Sequence, residues 1–290
     1  MKIRILIYLL LLAGASAAHP TGDMVVLGDR LYWSYISPVN DRDHHACIMT
    51  WKEGEEPSVL LKSTFPASDF MLSVSGNILY ILERRYDHSR EQHFLRVLKM
   101  KTGNKPTEIW PWFEDSWRVG EAGFVMADDE TITFCKYPAV YQLDKQIEVK
   151  KLDCFTMDVH RIRKAAGGLL IMGESAIWLA DLNGQIVNKW SNLLLPEVPD
   201  APLNRNQIFD ACYQQGSLLI AYWGRRTFEI FESYGKKKII QLKSPLAPHW
   251  VAGKGRAWYL FASTITFDGE TPQPKLQKLK NESITTIWAL

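Results

Sequence analysis

Two short segments set imidazoles beside carboxylates: Asp41-Arg42-Asp43-His44-His45 and Asp87-His88-Ser89-Arg90-Glu91-Gln92-His93. Neutral imidazole and carboxylate together form the donor set of zinc and its neighbours. His44, His45, His88 and His93 are therefore candidate ligand contacts, although their spacing matches no established metal motif. Their default role is that of solvated or hydrogen-bonding histidines in polar loops. A second set is Asp69, Asp158 and Asp210 with His160 and His249. Carboxylates gathered at one point could hold a divalent metal such as calcium, with His160 or His249 as general base. The competing role for these aspartates is loop capping and pairing with Arg161, Arg163 or Arg118, since a buried charge needs a partner. A third set is aromatic. Trp112 and Trp117, in Trp110-Pro111-Trp112-Phe113-Glu114-Asp115-Ser116-Trp117, could stack on a sugar ring or anchor a protein; core filling is the alternative. No nucleophile elbow, phosphate-cradling glycine loop or paired zinc motif occurs in the sequence.

The elements that must position these residues announce themselves through turns. Gly28-Asp29-Arg30, Gly76-Asn77, Asp128-Asp129-Glu130, Gly167-Gly168, Gly216-Ser217 and Gly253-Lys254-Gly255 recur at a period of about 45 residues. Each precedes a short apolar, aromatic-rich run such as Ile78-Leu79-Tyr80-Ile81 or Leu218-Leu219-Ile220-Ala221. Four strands fit each repeat. In the second they are Asp69–Val74, Ile78–Glu83, His93–Lys101 and Thr107–Trp110. In the fourth, Leu182-Asn183-Gly184 supplies the strongest hairpin turn of the chain. Phe228-Glu229-Ile230-Phe231 and Ile147-Glu148-Val149 alternate with period two, and no amphipathic helix is expected.

This repeat pattern resembles the broad class of six-bladed β-propellers that includes the TolB-like, NHL-like and lactonase-like groups. The resemblance spans residues 19–290 and implies an all-β fold: a single six-bladed β-propeller of four-stranded antiparallel blades. Asp23–Val26 would begin blade one and Ile284–Leu290 would complete blade six. Each blade would be contiguous, and the ring would close by packing without lending a strand across the seam. The class implies no particular activity, because a fold does not fix its chemistry.

In such a ring the blade-to-blade connections and the second-to-third-strand loops share one face. Loop excess over Ser37–His45, Tyr86–Gln92 and Asp268–Lys275 would raise a wall on that face across blades six, one and two, where binding would reside. Residues 1–18 read as a secretory signal peptide: Lys2 and Arg4, an apolar run from Ile3 to Leu12, then Ala15-Ser16-Ala17. An exported protein, periplasmic or extracellular, is expected, and no segment approaches the ~20 apolar residues of a membrane span. Cys135 and Cys154 are the preferred disulfide pair in an oxidising compartment, with Cys47 and Cys212 as free thiols. Asn281-Glu282-Ser283 is a glycosylation sequon if the host is eukaryotic.

With 34 Lys+Arg against 32 Asp+Glu, the formal charge of +2 argues against nucleic acid as a partner. The basic runs Arg84-Arg85, Lys150-Lys151 and Lys236-Lys237-Lys238 are expected at solvated blade edges. The leading expectation is a monomeric exported platform without a cofactor, binding a protein or carbohydrate on the loop-rich face. The alternative is a metal-dependent hydrolase or lyase of the lactonase-like kind with its site over the channel.

Overall fold

Strands that alternate between apolar and polar residues and end in Gly- or Asn-bearing turns pair with their sequence neighbours, and every sheet is built that way. The computed structural model describes residues 22–36, 45–127, 129–152, 158–165, 167–182, 184–193, 208–232, 235, 237–264 and 273–289. The leader over 1–18, His44, Cys154 and most of the segment 268–275 lie outside them.

Blade one is β1 (Met24–Leu27), β2 (Arg30–Ile36), β3 (Ala46–Lys52) and β4 (Ser58–Lys62). Blade two is β5 (Ser68–Ser75), β6 (Ile78–Asp87), β7 (Gln92–Lys101) and β8 (Thr107–Glu114). Blade three is β9 (Phe124–Met126), β10 (Ile132–Lys136), β11 (Ala139–Leu143) and β12 (Val149–Lys151). Blade four is β13 (Val159–Ala165), β14 (Gly168–Gly173), β15 (Ile177–Asp181) and β16 (Ile186–Trp190). Blade five is β17 (Ile208–Gln214), β18 (Ser217–Tyr222), β19 (Thr227–Phe231) and β20 (Lys237–Gln241). Blade six is β21 (Leu246–Lys254), β22 (Ala257–Thr264), β23 (Pro274–Lys280) and β24 (Ser283–Ala289). Each sheet is antiparallel and follows sequence order, so six contiguous four-stranded blades stand as expected.

Burial falls outward along each blade. All of β14 is buried, because both of its faces meet neighbouring blades, whereas β16 is almost wholly exposed. Six apolar clusters fill the six gaps between blades, one to a gap. The closing gap holds Trp33, Trp250 and Phe261 with Trp288 beside them, and the Trp33 and Trp288 ring centroids lie 5.7 Å apart. Ring closure therefore rests on packed aromatic area, without an exchanged strand. Lys150–Lys151 and Lys237–Lys238 lie on the outer strands β12 and β20, where charge discourages edge pairing.

Two expectations are corrected. Arg84-Arg85 is not at a blade edge: it sits on β6, with Arg84 buried between blades. The outer strand of blade two continues past Pro111 to Glu114, so Trp112 belongs to a strand and not to a connection. An outermost strand tolerates this proline because its free edge needs no N–H donor.

Three inner strands carry β-bulges near their start, at His160, at Phe209 and across His249–Trp250. A bulge re-aims the residues around it, and here it turns Arg161 and Asp210 toward the axis of the ring.

Candidate functional site

The innermost strand of each blade has one edge with no strand partner, so its N–H and C=O groups face the central channel and must be satisfied there. Four charged side chains do this. Asp210 accepts from Arg161 Nε at 2.9 Å, from Arg163 Nη1, and from the backbone N–H of Val251 at 2.9 Å. Asp23 accepts from Arg161 Nη2 and from the N–H of Leu72. Arg163 also donates to the carbonyls of Val251, at 2.6 Å, and of Met24. Residues of blades one, two, four, five and six are thereby tied across the axis.

Asp210 and Asp23 are buried, as is Arg161, and the two aspartates balance the two arginines. Burial pushes the Asp23 carboxyl upward against the pull of Arg161 and Arg163. For Arg161 burial works downward, but Asp210 and Asp23 outweigh it and hold the guanidinium charged. Each carboxylate meets guanidinium and amide donors, an arrangement that cross-links strands. A channel cavity of about 240 Å³ adjoins this network and is lined by Asp23 and Arg163 together with Val26, Val74, Lys164 and Tyr213.

The three candidate carboxylates do not converge. Asp210 belongs to the channel network, as its expected pairing with Arg161 and Arg163 requires. Asp69 instead pairs with Arg84 at 2.9 Å. Asp158 is exposed, beside Glu174, Trp178 and Lys189. Arg118 meets neither; it pairs with Glu121 at 3.3 Å. Among the described residues, no group of three or more His, Cys, Asp and Glu side chains is placed to hold a metal ion. His160 Nε2 lies 2.8 Å from the carbonyl of Ile208; burial lowers its pKa, so the neutral ring donates there. His249 is buried on blade six, 2.8 Å from Ser263 Oγ, and packs edge-on against Phe209.

On the loop-rich face, Tyr86 gathers His88 and His93, with ring centroids at 4.9 and 4.8 Å. Burial lowers the pKa of His93, and the charges of Arg84 and Arg118 push the same way. His45 is half-buried at the start of β3, and its neighbour His44 lies outside the described residues. Trp112 and Trp117 do not form one platform. Trp117 is 37 % exposed and rests on Tyr141 of blade three, with Lys136 Nζ 4.8 Å from its ring. Trp112 faces blade one: its ring meets Phe65 at 5.4 Å, and the guanidiniums of Arg85 and Arg96 lie 5.0 and 4.9 Å from it.

Sequence reasoning missed this second cluster. Glu83 is fully buried and takes Ser63 Oγ at 2.6 Å and Arg96 Nε at 2.7 Å. The available signal was Glu83-Arg84-Arg85 running on directly from the apolar half of β6, where the two strand faces diverge to different gaps. Cys135 is a buried thiol pushed up to about 12 by desolvation, its Sγ donating to the Val159 carbonyl. Its expected partner Cys154 is outside the described residues. Cys47, buried, and Cys212, half-buried, are not in a disulfide.

Six contiguous four-stranded antiparallel sheets around a central channel define a six-bladed β-propeller. Solved structures align with the chain as follows. Virginiamycin B lyase from Staphylococcus aureus shares 12% identity with a TM-score of 0.48, covering 92% of this chain and 84% of its own. A gluconolactonase from Xanthomonas campestris gives 12% and 0.48, covering 84% of each chain. A chain from a nidogen/laminin complex gives 12% and 0.48, covering 86% and 90%. No family model and no curated protein matches the sequence.

Proposed function

We propose that this propeller is an exported binding module that holds a partner on its loop-rich face, with a protein favoured over a carbohydrate. The observation that carries the reading is the β6–β7 hairpin. Its strands have ten residues each and stay in register to Asp87↔Gln92, whereas β10 and β11 have five each. A rigid hairpin longer than that of blade three costs surface and ordering entropy without adding core, which fits a contact element. It carries His88, Arg90 and His93, and stands beside Trp112. Two exposed aromatics, Trp117 and Tyr137 (66 % exposed), lie on the same face one blade away. Ring-rich, half-exposed surface of this kind is where interface energy concentrates.

The test is capture from the host's extracellular extract by three forms of the protein. One is unaltered, one has residues 88–91 replaced by Asn-Gly, and one has the opposite-face turn over 102–104 altered. A partner kept by the first and third but lost by the second is expected. Equal capture by all three would refute the assignment to this face.

A further inference from the structure

Resting on that binding reading, we propose that Arg85 and Arg90 form a carboxylate site that takes a Glu or Asp side chain from an acidic segment of a partner protein. Asp69, Glu83 and Glu108 of blade two are committed to other arginines. Asp87 at the hairpin turn feels the charge of Arg90, and Glu91 and Glu114 form no ion pair with Arg85 or Arg90. Arg84 is paired with Asp69 at 2.9 Å, and Arg96 with Glu83 and, at 3.4 Å, with Glu108. Arg85 and Arg90 have no ion-pair partner among the described residues.

Arg85 lies among three rings, its guanidinium carbon 4.4 Å from the centroid of Phe65, 5.0 Å from Trp112 and 5.3 Å from Phe94. Its Nε is buried with no acceptor among the described residues. Ring contacts recover only part of what a desolvated cation loses. The side chain is therefore held in place but not neutralised. Arg90 shares the Phe94 ring at 5.6 Å. Its turn is fixed by Asp87 Oδ1, which accepts from Ser89 N, Ser89 Oγ and Arg90 N. Two guanidiniums, from the base and the tip of the long hairpin, thus each lie within 5.6 Å of the Phe94 ring.

A planar carboxylate matches the in-plane N–H fork of a guanidinium, and apolar walls strengthen that attraction by excluding water. The rings also offer surface to the methylenes of a Glu side chain, which an inorganic anion lacks. That distinction selects an acidic peptide over a free oxyanion.

The probe is fluorescein-labelled hexaglutamate, followed by anisotropy with the full-length protein at low ionic strength. Saturable binding is expected, weakened as salt rises. Arg85→Gln should weaken it about tenfold or more, since a charge-assisted bond is lost. Arg85→Lys should also weaken it, because the charge stays but the fork is gone. Arg90→Gln, at an exposed tip that cannot threaten folding, should weaken it severalfold. Arg256→Gln, on the opposite face, should leave it unchanged. Absent binding, or equal binding by the Arg85→Gln and Arg90→Gln variants, overturns the site. Displacement by inorganic sulfate at lower concentration than by glutarate overturns the carboxylate assignment. If hairpin-dependent capture survives while hexaglutamate fails, the binding module stands and only this ligand chemistry falls.

Discussion

Replacing Asp210 by alanine tests the hub directly. The carboxylate is fully buried and takes Arg161 Nε and the Val251 N–H at 2.9 Å each, together with Arg163 Nη1. Its removal takes one acceptor from each of two guanidiniums, although Arg161 keeps Asp23 and Arg163 keeps two carbonyls, and it orphans a backbone donor that no strand can serve. Breaking a buried ion pair from one side costs about 3–5 kcal/mol, and an orphaned buried N–H about 1–3 kcal/mol. These contributions share partners and do not simply add. The expected loss for Asp210→Ala is therefore about 4 kcal/mol, a large part of the 5–15 kcal/mol typical of a folded domain. Asp210→Asn keeps the shape and one acceptor but opposes an amide N–H to a guanidinium, so about 2 kcal/mol is expected. Urea unfolding of both variants measures this through the midpoint, provided the slope is unchanged. If Asp210→Ala loses less than about 1 kcal/mol, the network is dispensable and the hub argument fails.

Two further outcomes follow from other contacts. His160 is held below its ordinary 6.5 by burial, so the unfolded chain takes up its proton first as pH falls. Stability is then lost below that value by at most about 1.4 kcal/mol per pH unit. His160→Gln should flatten the difference between urea midpoints at neutral and mildly acid pH; an unaltered pH dependence would contradict the assignment. Gly123 has φ of 85°, and a Cβ there would lie 2.0 Å from the Ile162 carbonyl oxygen, where blades three and four meet. Gly123→Ala should cost about 2 kcal/mol or more in a thermal melt. Gly167→Ala, equally left-handed but open around its Cβ, should cost about 1 kcal/mol. Equal losses at the two sites would rule out the close contact.

The repeat was legible because its signals are local. A Gly-Asn or Asn-Gly turn, a period-two run and a spacing of about 45 residues are each written within one blade. Contiguous blades, the closing seam and the channel pairing of Asp210 with Arg161 and Arg163 followed from that register. What crosses the ring was not legible. Asp23 reads as an ordinary strand start, and its partner Arg161 lies 138 positions away. Nor does composition distinguish Arg84-Arg85 from the lysine pairs of β12 and β20. The difference is depth: the lysines lie on outer strands, whereas β6 is a second strand with a blade on either side. The same blindness put Trp112 in a loop, since Pro111 reads as a terminator unless the strand is known to be outermost. Within Tyr86–Gln92, which reads as loop excess, residues 88–91 are turn, while Tyr86, Asp87 and Gln92 belong to strands, because strand length and loop length trade against each other within a fixed repeat.

The division between hub and rim explains why charge appears in both places with opposite consequences. In the channel, four charges satisfy one another and the exposed edges of inner strands, so each added contact stiffens the ring. The balance of two carboxylates and two guanidiniums leaves little charge to attract a ligand. On blade two, Glu83, Glu108 and Asp69 serve Arg96 and Arg84, and Arg85 and Arg90 have no ion-pair partner among the described residues. Beyond its attraction to the rings, an unpaired guanidinium does little for the fold that a neutral side chain of equal shape would not do. Its stacking on Phe65, Phe94 and Trp112 adds order but not neutrality. An aromatic cradle around an unneutralised charge makes physical sense where the missing carboxylate arrives on another molecule. That reasoning turns attention from the channel, where the aspartates lie, to the blade-two hairpin.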